Sequence, residues 1–219
     1  MTARHSITCY YDVVSPYSYF GVLLLNKLKA THWANVDVEL KPFFLHGIMQ
    51  GSGNQPPATV AAKGKYMFGD LIQVSKVSGL PLKFPSNFPV MTVGAMRLLL
   101  AVQRHASDKY IQCIEKDEYW AKDKNISEPE VLIAALAPIL GGADKVQQLL
   151  KLSTDKEIKQ ALTNNTNEAL EKGAFGAPTF FVKKAGSNKE MMFFGSDRFE
   201  VMAALLELPY PGINMSSKL

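Results

Sequence analysis

A serine at a helix start is the first group in this sequence that could do chemistry. Ser15 stands directly before Pro16, and the pair is a strong helix start, with serine as N-cap and proline at the first helical position. A helix N-terminus carries unpaired backbone N–H groups and a partial positive charge, so it can hold an anion. A thiolate supplied by a ligand would suit the hydroxyl. Taken alone, Ser15 is better explained as a helix cap, the commonest role of a serine before a helix.

A proline in front of a strand marks a second candidate site. Pro178 follows Ala177 and directly precedes Thr179–Lys183, an apolar segment typical of a strand. A proline in this position favours a cis peptide bond, which is rare and usually kept for a reason. An ordinary trans proline at the start of an edge strand stays open as the alternative.

A second helix start, Ser196-Asp197, combines backbone donors with a carboxylate. We expect a helix from Ser196 onward, because apolar residues recur at helical spacing from Phe199. Its N–H groups and the Asp197 carboxylate suit a head group with an α-ammonium and an α-carboxylate. The alternative is that Asp197 and Glu200 form a capping box and serve only the helix.

The elements around these residues run in the order β-α-β, then helices, then β-β-α. The spacing of apolar residues predicts a first helix from Ser15 to about Ala30 and strands over residues 7–14, 36–41, 179–183 and 190–194. This order is typical of an α/β fold with one mixed sheet and covering helices, the thioredoxin arrangement. In such a fold the three candidate segments meet at one end of the sheet. The backbone of Ala177 would then be an edge with which an extended peptide could pair.

The prediction is therefore a thioredoxin-like βαβ…ββα domain, formed by residues 1–45 and 174–219, with an all-helical insertion over residues 46–173. Thioredoxin-like oxidoreductases carry Cys-x-x-Cys where this chain has Ser15-Pro16-Tyr17-Ser18. Its two cysteines, Cys9 and Cys113, lie elsewhere, and we expect both to be structural. Disulfide exchange on the protein's own cysteines is therefore disfavoured. Neither the cysteines nor the scattered histidines have metal-site spacing, so no metal is expected.

Composition narrows the class of protein. The chain has 219 residues, of which 47% are hydrophobic and 20% charged, as in globular proteins. Its net charge of 24 − 20 = +4 is spread along the chain, which argues against a nucleic-acid partner. The longest apolar run, residues 131–140, is interrupted by Pro138 and is far shorter than the roughly 18 residues of a membrane span. The first residues lack the pattern of a secretory signal, so we expect an intracellular protein.

With these residues in view, the chain resembles, from end to end, the kappa-class glutathione transferases, which belong to the DsbA-like branch of the thioredoxin fold. The resemblance rests on a series of short tracts in a fixed order. These tracts are residues 10–18, Gly47-Ile48-Met49, Ser52-Gly53-Asn54-Gln55-Pro56-Pro57, Lys63-Gly64-x-Tyr66-Met67, Ala95-Met96-Arg97, Gly173-Ala174-Phe175-Gly176-x-Pro178 and Phe194-Gly195-Ser196-Asp197-Arg198.

The resemblance implies a glutathione site and an enzyme that conjugates the glutathione thiolate to small electrophiles. Ser15 would donate a hydrogen bond to the glutathione sulfur, and the backbone of Ala177, before Pro178, would pair with the cysteinyl unit. The other residues implied in glutathione binding are Pro16 and Tyr17 beside Ser15, Ser196 and Asp197 at the γ-glutamyl end, and Asn54 and Lys63 at the glycine end. Glutathione would be the co-substrate, and the resemblance also implies a homodimer.

Two other functions stay open on the same fold. One is a glutathione-dependent isomerase of the 2-hydroxychromene-2-carboxylate type, which would regenerate glutathione. The other is a non-catalytic binder of glutathione or peptide that assists assembly. The C-terminal Ser217-Lys218-Leu219 is a peroxisomal targeting signal, so we expect a peroxisomal protein recognised by the import receptor.

Overall fold

The computed structural model describes residues 4–214. A four-stranded sheet with strand order β2-β1-β3-β4 forms its centre. The strands are β1 (Ser6–Tyr11), β2 (Asp37–Pro42), β3 (Thr179–Lys183) and β4 (Glu190–Phe194). The helices are α1 (Pro16–Ala30), α2 (Leu45–Ser52), α3 (Ala61–Ser78), α4 (Val93–His105), α5 (Tyr110–Glu115), α6 (Pro129–Leu140), α7 (Ala143–Leu152), α8 (Lys156–Glu171) and α9 (Phe199–Leu206).

The sheet confirms the predicted α/β fold. Strand β1 pairs in parallel with β2, and helix α1 connects these two strands. On its other side β1 pairs antiparallel with β3, which forms a hairpin with β4. Alternate residues of β1 point to opposite faces, so Ile7 and Cys9 are buried in the core beside α1, whereas Tyr10 packs on the other face with Phe181. Helices therefore cover both faces of the sheet, and the turn between β1 and α1 opens at one end of it.

The described residues between β2 and β3 contain helices and short 3-10 turns but no strand, which agrees with the predicted helical insertion. Leu99 of α4, Leu136 of α6 and Leu162 of α8 belong to the same hydrophobic core as Leu25 of α1 and Phe180 of β3. The insertion thus shares its core with the sheet, and the division of the chain into two domains stays a prediction. Within residues 4–214 no helix has both the length and the apolarity needed to cross a bilayer.

The last helix begins later than the sequence predicts. Helix α9 begins at Phe199, and its N-cap is Arg198, which makes no side-chain capping hydrogen bond. Ser196 and Asp197 lie in the turn between β4 and α9. Both the expected helix start at Ser196 and the alternative capping box with Glu200 are therefore wrong. The C-terminal Ser217-Lys218-Leu219 lies outside the described residues.

Candidate active site

A buried aspartate ends β1 and shapes the loop that follows it. Asp12 has no exposed surface. Its Oδ1 accepts hydrogen bonds from the Val14 N–H at 3.0 Å and the Thr92 hydroxyl at 2.7 Å, and its Oδ2 accepts one from the Leu45 N–H at 2.9 Å. Burial raises the pKa of Asp12, and the three hydrogen bonds only partly oppose that effect. The carboxyl group joins the end of β1 to the starts of α2 and α4, so the predicted continuation of the strand to Val14 does not form.

The loop after Asp12 is held from both sides. The Trp120 indole Nε1 donates to the Val13 carbonyl at 3.0 Å, and the Val13 N–H points at the Met96 sulfur at 3.5 Å. The Ser15 N–H closes a turn on the Asp12 carbonyl at 3.0 Å. Because side chains from the insertion hold this loop, the helical segment helps to determine where Ser15 lies.

Ser15 is a helix cap and also contacts the second candidate segment. Its backbone is extended, with φ −82° and ψ 121°, and its Oγ accepts a hydrogen bond from the Ser18 N–H at 3.2 Å. The same hydroxyl donates to the Ala177 carbonyl at 2.9 Å. The capping interpretation is therefore confirmed, and it does not exclude a functional one, since the proton of Ser15 is directed at the turn before β3.

One backbone donor remains open in the first turn of α1. Pro16 has no N–H, the Ser18 N–H donates to Ser15 Oγ, and the Tyr19 N–H donates to the Ser15 carbonyl at 3.1 Å. The Tyr17 N–H makes no hydrogen bond with any residue in the described range. This N–H and the Ser15 hydroxyl are the groups at this helix end that could face an anion.

The proline turn packs directly on α1. The Ala177–Pro178 peptide bond is cis, so the predicted cis bond is confirmed and the trans alternative is wrong. The Gly195 N–H donates to the Pro178 carbonyl at 3.1 Å and so fixes the residues after β4 beside the proline. A Cβ at Gly21 of α1 would lie 3.0 Å from Pro178 Cγ and 3.5 Å from Ser196 Cβ. The missing side chain of Gly21 therefore allows the proline and Ser196 to approach the helix closely.

The turn before α9 presents an exposed carboxylate near the same helix end. The side chain of Asp197 is 66% exposed and is paired with the neighbouring Arg198 guanidinium, whose Nε donates at 3.2 Å. Burial and the hydrogen bond to Asp70 raise the pKa of the Tyr17 phenol, and the negative charge of Asp197 adds to this effect. Asp197 directly follows Ser196, whose Cβ lies against Gly21, so its carboxylate belongs to a turn that packs on α1.

Tyr17 connects the first turn of α1 to the insertion. Its hydroxyl donates to Asp70 Oδ2 of α3 at 2.8 Å. Lys63 lies on the same face of α3 two turns earlier, about 10 Å along the helix axis. The Lys63 side chain is exposed and contacts no polar group of the described residues, so its ammonium is available to a ligand.

Asn54 reaches the proline turn from the loop after α2. Its Nδ2 donates to the Phe175 carbonyl at 2.7 Å, and its Oδ1 accepts the Gln55 N–H at 2.8 Å. The amide is therefore already engaged with the protein. Phe175 in turn packs on Phe194, with ring centroids 4.6 Å apart, so the segment before Pro178 is held by both α2 and β4.

The structure thus brings most of the predicted residues together. Ser15, Ala177, Pro178 and Ser196 form one contiguous group around the start of α1, and Pro16, Tyr17 and Asp197 flank it. Asn54 joins this group only through Phe175, and Lys63 stands apart on α3. The sequence reasoning missed Asp12 and Asp70. An acidic residue at the end of an apolar strand was an available signal for Asp12, whereas nothing near Asp70 distinguishes it from a solvated charge.

Known proteins share both the fold and the sequence pattern. Residues 6–207 match the family model of the DSBA-like thioredoxin domain. Among solved structures, a 2-hydroxychromene-2-carboxylate isomerase superposes with a TM-score of 0.74 at 20% identity, over 92% of this chain and 94% of that chain. The cytosolic disulfide reductase DsbM from Pseudomonas aeruginosa superposes with a TM-score of 0.63 at 15% identity, over 91% and 96% of the two chains. At these identities the likeness concerns the fold alone.

Sequence relatives are more specific. Glutathione S-transferase kappa 1 of Caenorhabditis elegans is 34% identical over 212 residues, which cover 94% of this chain and 92% of the relative. The human protein of the same name is also 34% identical over 212 residues, covering 92% of this chain and 90% of the relative. The matched regions cover nearly the whole of both chains. On these grounds the chain belongs to the kappa class of glutathione S-transferases.

Proposed function

We propose that the protein conjugates the thiolate of glutathione to small electrophiles. The observation that carries this proposal is the Ser15 hydroxyl at the N-cap of α1, 2.9 Å from the Ala177 carbonyl, in a site without a protein thiol. Burial raises the pKa of Cys9 well above its usual value and that of Cys113 to about 11, so neither cysteine is a ready nucleophile. The reacting sulfur must therefore come from the ligand.

The proposed step begins with loss of the glutathione S–H proton to solvent. A free thiol with a pKa of about 8.5 is only a few per cent ionised at neutral pH. Ser15 would turn its hydroxyl from Ala177 to the sulfur, and the Tyr17 N–H and the positive end of α1 would add to the stabilisation of the thiolate. The thiolate then attacks the electrophilic carbon, a C–S bond forms, and the leaving group departs with its electron pair.

The remaining residues would bind the tripeptide. The backbone of Ala177 would pair with the cysteinyl unit once its carbonyl is released by Ser15. Ser196 and Asp197 would hold the γ-glutamyl ammonium and carboxylate, and Lys63 would attract the glycine carboxylate. Asn54 would support the segment before Pro178 and reach the same end of the ligand. The exposure of Asp197 and Lys63 supports these roles, since both charges are accessible.

A stoichiometric assay tests the reaction class. Purified protein is incubated with glutathione and a chlorinated dinitroaromatic electrophile, and separately with a cis–trans isomerisable substrate. We expect one glutathione consumed per thioether formed. Turnover of the isomerisable substrate with no loss of glutathione would assign the protein to isomerase chemistry instead. Saturable glutathione binding without turnover of any electrophile would indicate a non-catalytic glutathione-binding protein.

We infer a homodimer from the exposed apolar surface. On α3 the side chains of Tyr66, Phe68 and Ile72 are 72%, 44% and 44% exposed, and at the sheet edge Phe194 is 41% exposed. Phe68 and Ile72, four residues apart on α3, lie on one face of the helix, and exposed apolar residues that share a face are typical of a surface that another subunit covers. Light scattering after size-exclusion chromatography should give twice the 24.2 kDa mass of the chain. Phe68→Glu with Ile72→Glu, two changes on the same face of α3, should then shift the protein to the monomer.

We also propose that the protein acts in peroxisomes, where it would detoxify electrophiles. The support is the C-terminal Ser217-Lys218-Leu219, whose sequence matches the tripeptide signal that the peroxisomal import receptor reads. Deletion of these three residues should leave the protein in the cytosol with unchanged conjugating activity. Replacement by a Ser-Lys-Glu ending is a matched control that keeps the chain length. Peroxisomal import of the truncated protein would contradict this proposal.

A further inference from the structure

We propose that Ser18 is a positioning residue whose hydroxyl supports Ser15 by donating a hydrogen bond to its oxygen when Ser15 donates to the ligand sulfur. The inference rests on the proposed function, and it assigns a role to a group that this function does not use. The two hydroxyl groups would form a short relay behind the thiolate. Ser18 would not touch the sulfur itself.

The first observation is that the Ser18 hydroxyl has no partner. The residue is 1% exposed, and its Oγ makes no hydrogen bond with any part of residues 4–214. A buried hydroxyl without a partner lowers stability, so proteins rarely keep one without a reason. Two other buried serines do have partners: Ser78 donates to the Ser75 carbonyl at 3.3 Å and Ser153 to the Leu150 carbonyl at 2.6 Å.

The second observation is where Ser18 lies. It occupies the third position of α1, and its own N–H already donates to Ser15 Oγ at 3.2 Å. At a helix start the side chain of this third position lies beside the capping residue, as in a capping box. Gly21, one turn later on the same side of α1, packs against Pro178 and Ser196. Ser18 therefore lies on the side of α1 that faces the proposed site, and a rotation about χ1 changes where its hydroxyl points.

The hydrogen bonds of Ser15 explain why a second hydroxyl is useful. The Ser15 oxygen offers one proton and two lone pairs. In this structure the proton goes to the Ala177 carbonyl, and one lone pair accepts the Ser18 N–H. When the proton turns to the sulfur, the other lone pair can accept the Ser18 O–H. A hydroxyl that accepts such a bond becomes a stronger donor, because hydrogen bonds in a chain polarise one another.

The pKa of bound glutathione is the readout for this relay. In Ser18→Ala we expect the pKa of the bound thiol, measured from its thiolate absorbance against pH, to rise by about half a unit to one unit. The value of kcat/KM at pH 6.5 should fall about 3- to 10-fold and approach that of the wild type at high pH. The glutathione Kd should be unchanged at low pH, where the bound thiol is protonated in both proteins. Ser18→Thr, which keeps the hydroxyl, should restore the profile. Ser153→Ala, a buried serine far along the chain, is the control and should change neither value.

A double-mutant cycle separates the relay from a general effect on folding. If Ser18 acts through Ser15, Ser18→Ala should have no further effect on the thiol pKa in a Ser15→Ala background. An unchanged thiol pKa in folded Ser18→Ala, or an equal rise in both backgrounds, would overturn the inference while the proposed function stands. An ordinary thiol pKa in the wild-type complex would instead contradict the thiolate mechanism, and the relay with it.

Discussion

Two segments look alike as helix starts in the sequence and differ in the structure. At α1 the serine of Ser15-Pro16 does cap the helix, since its Oγ accepts the Ser18 N–H at 3.2 Å. At α9 the serine and aspartate of Ser196-Asp197 stand before the helix, which begins at Phe199 without a side-chain cap. One pair is therefore part of the helix, and the other belongs to a turn that the helix does not need.

This difference matters for what each side chain can still do. The Ser15 oxygen accepts a hydrogen bond from the Ser18 N–H of the helix. Its O–H can still turn from the Ala177 carbonyl to a ligand. Among residues 4–214, Asp197 is hydrogen-bonded only to the exposed Arg198 beside it, so its carboxylate can accept a cation without disturbing α9. The first helix start is thus suited to stabilise charge that develops on a sulfur. The turn before α9 is suited to bind a ligand group that already carries a positive charge.

Loss of the Ser15 hydroxyl should have the largest effect on catalysis. A hydrogen bond to a charged group contributes about 1.5–3 kcal/mol, so Ser15→Ala should lower kcat/KM at neutral pH by roughly 10- to 100-fold. Activity should recover as the pH rises past the pKa of a free thiol, about 8.5, because the sulfur then ionises without help. The measurement is the pH profile of conjugation, read beside the thiolate absorbance of bound glutathione.

The cysteine variants Cys9→Ser and Cys113→Ser are the controls for this experiment. Both thiols are buried and resist ionisation, so folded variants should keep the wild-type pH profile. If a folded cysteine variant lost its activity, the sulfur of the reaction would belong to the protein and the role given to Ser15 would be wrong.

Asp197→Ala should affect binding and leave stability nearly unchanged. The lost contact to the ligand ammonium should weaken glutathione affinity by roughly 10- to 100-fold. Since Asp197 does not cap α9, the melting temperature should stay within about 1 °C of the wild type. Isothermal calorimetry and thermal melts measure the two quantities. Glu200→Ala, an exposed carboxylate in the first turn of α9, is the matched control and should change neither. Unaltered affinity with a lowered melting temperature would make Asp197 a structural residue.

The sequence predicts a structural feature well when the residues that determine it are close together in the chain. Strands β3 and β4 have the predicted bounds, and α1 begins and ends where its Ser-Pro start and apolar spacing place it. These features depend on neighbours within one element. Asp12 is different, because its partners Leu45 and Thr92 lie 33 and 80 residues further along the chain, and no local pattern indicates them.

The same reasoning explains the error at α9. Its Ser-Asp start follows the same local rule as the start of α1, but Gly195 has a φ of +97° and its N–H is bonded to the Pro178 carbonyl. That backbone conformation suits glycine and keeps the next two residues in a turn beside the proline. A contact with a residue 17 positions earlier thus overrides the local signal. As a consequence, the contact between Gly195 and Pro178, and not the start of α9, determines where Ser196 and Asp197 lie.

The smallest predicted effect is on the free energy of unfolding, which allows Ser15 and Ser196 to be compared directly. Ser15→Ala removes a capping hydrogen bond and should lower the free energy of unfolding by about 1 kcal/mol. Ser196→Ala removes a hydroxyl from an uncapped turn and should change it by less than about 0.5 kcal/mol. Urea unfolding of both variants, with the wild-type m-value preserved, measures the difference. Equal losses would mean that Ser196 also stabilises the start of α9, and the contrast between the two segments would then not hold.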